Sequence, residues 1–169
     1  MSEQAQDQQA PTRVECRASK DPAVRRFIFA AILLALGVYC LVDAYILKKY
    51  PYPKGGSSDV NAYMAYLFNH YGPFLFVPAG LALVVSAVVF LRRRLVADEE
   101  GIGYVGKERI PWTAVRSLDT ARLREKGILG LRYDVGGEEK AMVLDSWKLQ
   151  NFRELVMLVE KKAPAAETQ

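Results

Sequence analysis

Histidine, cysteine and tryptophan are scarce in this chain of 169 residues, with one, two and two copies. The single histidine is His70, so the usual Ser-His-Asp or Cys-His arrangement cannot form away from its own segment. Cys16 lies in a polar stretch and Cys40 in an apolar one, so the two are not expected to pair, and neither has metal-ligand spacing. The glycine and cysteine counts, with 51% apolar residues, exclude a collagen, a disulfide scaffold and a wholly disordered chain. Charge of one sign is not concentrated either. Lys and Arg number 23 against 19 Asp and Glu, and no segment has the excess of a nucleic-acid binder.

Long apolar runs, in contrast, are present twice. Phe27 to Leu47 is 21 residues with one formal charge, Asp43, and Phe74 to Leu91 is 18 residues with none. A bilayer core about 30 Å thick takes about 20 helical residues, so each run predicts a transmembrane helix. A single soluble globule is excluded. Asp21 can cap the first helix and Pro22 suits its first position. The first run is too long, and too far from the start, for a cleaved signal peptide.

These runs set the expected organisation. Residues 1–20 are a disordered polar tail, and 21–94 are a transmembrane hairpin with helices over 22–47 and 73–94 and an outer loop over 48–72. Residues 95–162 form a cytoplasmic module, and 163–169 a frayed end. The N-terminal flank carries Arg13, Arg17, Lys20, Arg25 and Arg26, and the second run is followed by Arg92, Arg93 and Arg94. The connection has only Lys48, Lys49 and Lys54. Both termini are therefore expected to be cytoplasmic, in a multi-pass protein of the cell (inner) membrane. Tyr45, Tyr50, Tyr52, Tyr63, Tyr66 and Tyr71 suit the membrane–water interface. Pro51, Pro53, Gly55 and Gly56 mark a turn, Ser58 or Asp59 can cap a short helix toward Tyr71, and Pro73 and Pro78 are expected to bend the entry to the second helix.

Asp43 is the candidate intramembrane polar site. Four residues inside the helix end it lies at a depth of about 6 Å, within reach of interfacial water or Lys48. Ala31 with Ala35, and Ala82 with Ser86, have the small-xxx-small spacing of close helix contacts, either within the hairpin or between copies.

The module reads differently. Ile102–Val105, Glu108–Ile110, Ala114–Thr120, Leu129–Val135 and Lys140–Leu144 are five expected strands, the fourth with a clear period of two. Gly136-Gly137 is a hairpin turn. Asp145 or Ser146 can cap a closing amphipathic helix whose apolar stripe is Leu149, Phe152, Leu155, Val156 and Val159. The fold class is α+β, an antiparallel sheet with a C-terminal helix covering its inner face.

The order of hairpin, Arg92-Arg93-Arg94, Leu95-Val96-Ala97-Asp98-Glu99-Glu100-Gly101-Ile102, Arg109-Ile110-Pro111-Trp112-Thr113-Ala114-Val115, Gly-Gly turn and helix resembles the bacterial pleckstrin-homology-like (PH-like) domain proteins, in which a small PH-type barrel follows membrane helices. The resemblance covers Leu95 to Lys162. It implies seven strands before the helix. With five legible, either the barrel is partial or another subunit completes it. It implies scaffold or adaptor behaviour and no reaction.

Other motifs carry less. Gly101-Ile102-Gly103-Tyr104-Val105-Gly106 matches G-x-G-x-x-G, with Glu125 about 20 residues on, but Pro111 follows where a helix is needed, so the glycines are expected in turns and a bulge. Arg122-Leu123-Arg124-Glu125-Lys126-Gly127 is a basic loop. Arg122, Arg124 and Lys126, with Arg92, Arg93 and Arg94, are the candidate contacts for anionic lipid, weighed against a plain solvated loop. Trp112 and Trp147 are expected in the core, and Glu99-Glu100 and Glu138-Glu139 as solvated turn charges. The expected partners are the bilayer, anionic lipids, an unidentified protein and a second copy. No catalytic residue, metal, cofactor or nucleic acid is expected.

Overall fold

The computed structural model describes residues 11–163. The disorder expected for residues 1–10 and the frayed end over 164–169 lie outside the described residues. The chain forms two compact units. One is Pro22–Phe90, and the other joins the residues up to Asp21 to those from Leu91 onward.

The first unit is a pair of helices. α1 spans Lys20–Leu41 and continues as a π-turn over Val42–Ile46, while α2 spans Val60–Leu91. Both are long and apolar enough to cross a bilayer. Only 28% and 17% of their most apolar windows are buried, whereas the core helix of a water-soluble domain hides its apolar surface. The outward residues are large and greasy, among them Ile28, Phe29, Ile32, Leu75, Leu81 and Val85.

Two expectations are corrected here. The connection between the long helices is shorter than the expected 48–72, because the expected short helix and the second long helix are one helix of 32 residues. Pro73 and Pro78 lie inside it. Each removes one backbone donor, too few to end a helix of that length when the neighbouring turns stay bonded. Ala31, Ala35, Ala82 and Ser86 are exposed, so they do not form the seam of the hairpin. The seam uses other small residues. Ala23, Ala30, Gly37 and Ala44 are buried at intervals of seven, opposite a second heptad series of Pro73, Gly80 and Ala87. A seven-residue repeat keeps one stripe facing its partner, and small side chains allow the backbones to approach. Arg26 donates to the Ser86 carbonyl at 3.2 Å and lies 4.7 Å over the Phe90 ring.

The second unit contains β1 (Val14–Arg17), β2 (Arg94–Ala97), β3 (Gly101–Tyr104), β4 (Ile110–Pro111), β5 (Val115–Asp119), α3 (Leu123–Lys126), β6 (Ile128–Val135), β7 (Glu138–Asp145) and α4 (Phe152–Lys162). The strands make two antiparallel sheets, β1-β2-β3-β4 and β5-β6-β7. Among the described residues seven strands precede the last helix, against five legible in the sequence. One of the additional two is β1, which corrects the expected disordered tail at Val14–Arg17. Val14 and Cys16 alternate with Glu15 and Arg17, and the two apolar residues are buried in the core. Pairing of Val14 with Ala97 through Arg17 with Arg94 places both helices between two neighbouring strands of one sheet. The other is β2, whose Arg94 had been expected at the end of the second helix.

The core joins both sheets to α4 through Leu95, Ile102, Leu129, Leu131, Leu155 and Leu158. Burial of each such side chain contributes about 2 kcal/mol. α4 begins later than expected. Asn151 adopts a left-handed conformation, φ 55°, and Asp145 is occupied in a preceding turn. Ala163, expected at the frayed end, is buried and donates its N–H to Val159 at 2.8 Å. The Gly136-Gly137 hairpin turn is present, with φ 67° and 85°.

Candidate functional site

In the module, backbone bonds connect the segments that carry the two basic groups of the sequence. β1 ends at Arg17, and the Ala18 N–H donates to the Arg93 carbonyl at 3.3 Å. The Ser19 N–H donates to Lys148 at 2.8 Å, and Ala18 bridges to Leu149. One turn earlier, the Ser146 N–H donates to Gly127 at 2.9 Å, and Gly127 ends α3. This chain of bonds links Arg93 to the helical turn bearing Arg124 and Lys126 by way of the turn after β7.

Each part has a local cause. In the turn, Asp145 Oδ1 accepts the Trp147 N–H at 3.0 Å, and the Asp145 carbonyl accepts from Lys148 and Leu149. A short acidic side chain bonding two residues ahead fixes such turns. α3 closes on Gly127, φ 63°, where an added Cβ would run into the Ser146 hydroxyl. The segment expected as a basic loop is thus one helical turn.

The charges divide into neutralised and free. Arg17 and Arg94 each lie 3.7 Å from Glu15 Oε1. Lys148 is 3.0 Å from Asp145. Arg92, Arg93, Arg122, Arg124 and Lys126 are exposed and make no ion pair among the described residues. Trp147, in the turn after β7, has 48% of its surface exposed. This corrects the expectation that it packs in the core, because the Asp145 turn holds residue 147 away from α4. Trp112 does lie in the core, and its Nε1–H donates to the Asp98 carbonyl at 2.8 Å.

A second feature of the module is a cavity of about 280 Å³ between the β3–β4 corner and the inner face of β6 and β7. Tyr104, Lys107, Arg109, Tyr133, Lys140 and Met142 are among its lining residues. Arg109 is held by Asp98 at 2.8 Å and Lys140 pairs with Glu138 at 3.5 Å, so of the lining bases Lys107 makes no ion pair among the described residues.

In the hairpin, Asp43 is buried with 2% exposure and is 2.9 Å from Lys49 Nζ. Its partner is Lys49, in place of the expected Lys48. The Lys49 N–H also donates to the Asp43 carbonyl, which folds the chain back over the π-turn. The carboxylate bond holds the Lys49 ammonium above its ordinary pKa of 10.5. Beyond it, Tyr45, Tyr52, Tyr63, Tyr66, Tyr71 and His70 form a connected set of rings, the closest pair being Tyr66 and His70 at 4.2 Å. His70 bonds the Tyr66 carbonyl through Nδ1 at 3.1 Å, a structural contact.

The remaining motifs are structural. Gly101 and Gly103 belong to β3, Gly106 turns the chain at φ 84°, and a turn and β4 follow where a nucleotide site needs a helix. A Cβ on Gly101 would strike the Ile110 carbonyl, so the strands' close approach requires glycine. Glu99 pairs with Lys162, Glu100 with Arg109, and Glu138 and Glu139 with Lys140 and Arg132. Glu138 and Glu139 lie in β7, not in the turn. No group of three or more metal-ligating side chains occurs among the described residues. No protein-family model matches this chain, and no curated protein or solved structure matches it either.

Proposed function

We propose that this is a non-enzymatic integral membrane protein that presents a PH-like adaptor or scaffold module to a protein or membrane-surface partner. It crosses the cell (inner) membrane twice, with both termini cytoplasmic. The observation that carries the reading is the position of the hairpin. It joins β1 to β2, so the module is tied to the two apolar helices by two covalent connections at neighbouring strands. Such a tether fixes the module at a surface more firmly than a single linker does. Among the described residues seven strands precede the last helix, the number that the PH-like resemblance implies, which supports the reading. The reading without a reaction is supported by the side chains present. The sole histidine is engaged in the hairpin, and each of the paired acids is held by a base.

A second reading, a structural subunit of a membrane complex with the hairpin as its interface, is favoured by the exposure of Ala31, Ala35, Ala82 and Ser86. Photo-crosslinking residues placed in cells at Lys107 and Val143, and separately at Ala31 and Ala82, tell the two apart. The adaptor reading expects a discrete protein adduct from the module positions. Adducts from the hairpin positions alone would support the second reading, and adducts from neither would contradict both.

A further inference from the structure

We propose that the edge formed by the turn Asp145–Leu149, α3 and the start of β2 lies on the anionic headgroups of the inner leaflet, with the Trp147 ring as its anchor. This rests on the reading that the helices span a bilayer and adds which face of the module meets it.

The placement is covalent first. Ser19, bonded to Lys148, immediately precedes α1, and Arg92 immediately follows α2. Consecutive Cα atoms are about 3.8 Å apart, so this edge is where the chain enters and leaves the apolar helices. The turn bearing Trp147 is hydrogen-bonded directly to that point.

The chemistry fits the same surface. A tryptophan with 48% exposure leaves a large apolar ring in water, and indole rings with a free N–H settle at headgroup level. Its backbone is fixed by the Asp145 turn, so the ring is presented and not folded back. Arg92 and Arg93 precede β2, whose neighbour Ala18 bonds Arg93, and Arg122, Arg124 and Lys126 lie at α3, whose closing Gly127 accepts from Ser146; all five are exposed and make no ion pair among the described residues. Anionic lipid supplies the missing counter-charge. Of the acids nearby, Glu15 and Asp145 are engaged by Arg17, Arg94 and Lys148, and Glu125 in α3 is exposed and unpaired among the described residues, which leaves the bases at Arg92, Arg93, Arg122, Arg124 and Lys126 in excess by four.

The test uses the full chain reconstituted in vesicles containing lipids brominated near the headgroup, with and without phosphatidylglycerol. Trp112 is 7% exposed and serves as the unquenched background. Bromolipid is expected to quench a component of the emission that Trp147→Phe abolishes. The quenching is expected to be stronger in anionic vesicles and to fall to the neutral level in Arg122→Gln/Arg124→Gln/Lys126→Gln. Equal quenching of the wild type and Trp147→Phe overturns the proposal, as does quenching that ignores lipid charge. Retention in alkali-washed membranes is scored in parallel. Release would overturn the bilayer reading itself, whereas a retained protein with unquenched Trp147 overturns only this inference.

Discussion

Gly80 faces Leu34 so closely that a Cβ at position 80 would lie 2.8 Å from Leu34 Cγ and 3.2 Å from the Ala30 carbonyl. Gly37 meets Val77 in the same way, at 2.7 Å. The helices approach closely at these points, where small residues let them pack together. Gly80→Leu and Gly37→Leu are therefore expected to force the helices apart, at a cost of about 1–3 kcal/mol each. Ala31→Leu and Ala35→Leu, on exposed positions, should be neutral within the hairpin. Resistance to detergent unfolding of the four variants checks this ordering.

Strand β1 makes the opening segment part of the module. Val14 is 3% exposed and pairs with Ala97. Val14→Asp would bury a carboxylate without a partner and is expected to cost about 3 kcal/mol or more, while Thr12→Asp, at an exposed site, should change little. Urea unfolding followed by Trp112 emission in the Trp147→Phe background reads the difference.

Burial, reinforced by the nearby Glu154 and Glu15, pushes the Cys16 thiol from its ordinary 9.0 to about 11. The unfolded chain releases this proton near pH 9, and the folded module keeps it until about pH 11. Stability from this group is full below pH 9 and is lost as pH rises through that window. The same unfolding assay between pH 8 and 11 should show the decline, and Cys16→Ala should flatten it.

Lys49 carries a hydrogen bond to the Asp43 carboxylate that raises its pKa above 10.5. Its contribution is therefore present below 10.5 and lost as pH rises past the raised value. Asp43→Asn should return the ammonium toward 10.5, so that Lys49 is acylated faster at pH 10 than in the wild type. Equal acylation rates, read by mass spectrometry of the Lys49 peptide, would contradict the pairing.

How much of this was legible in the sequence follows from the range of each signal. The apolar runs and the alternation over Leu129–Val135 are local, as is Gly136-Gly137, and the structure places helices, strand and turn there. β1 was not legible, because four residues with two apolar ones read as tail until Leu95 and Ala97 lie beside them. The start of α2 reads as a separate short helix because Pro73 and Pro78 look like a break before the apolar run, yet one helix runs through both prolines. Of the candidate site, the basic residues were legible as two separate groups. What joins them is a set of backbone bonds between segments distant in sequence. Trp147 was misplaced for the same reason: a large aromatic beside an amphipathic stripe reads as core until Asn151 is seen to start the helix later.

The membrane hairpin itself is tested most directly by reporter topology. Alkaline phosphatase, active only outside the cytoplasm, is inserted between Gly55 and Gly56, or fused after Gln169. The account predicts membrane-bound activity from the first fusion and none from the second. Activity from the second, or recovery of either fusion in the soluble fraction, would contradict it.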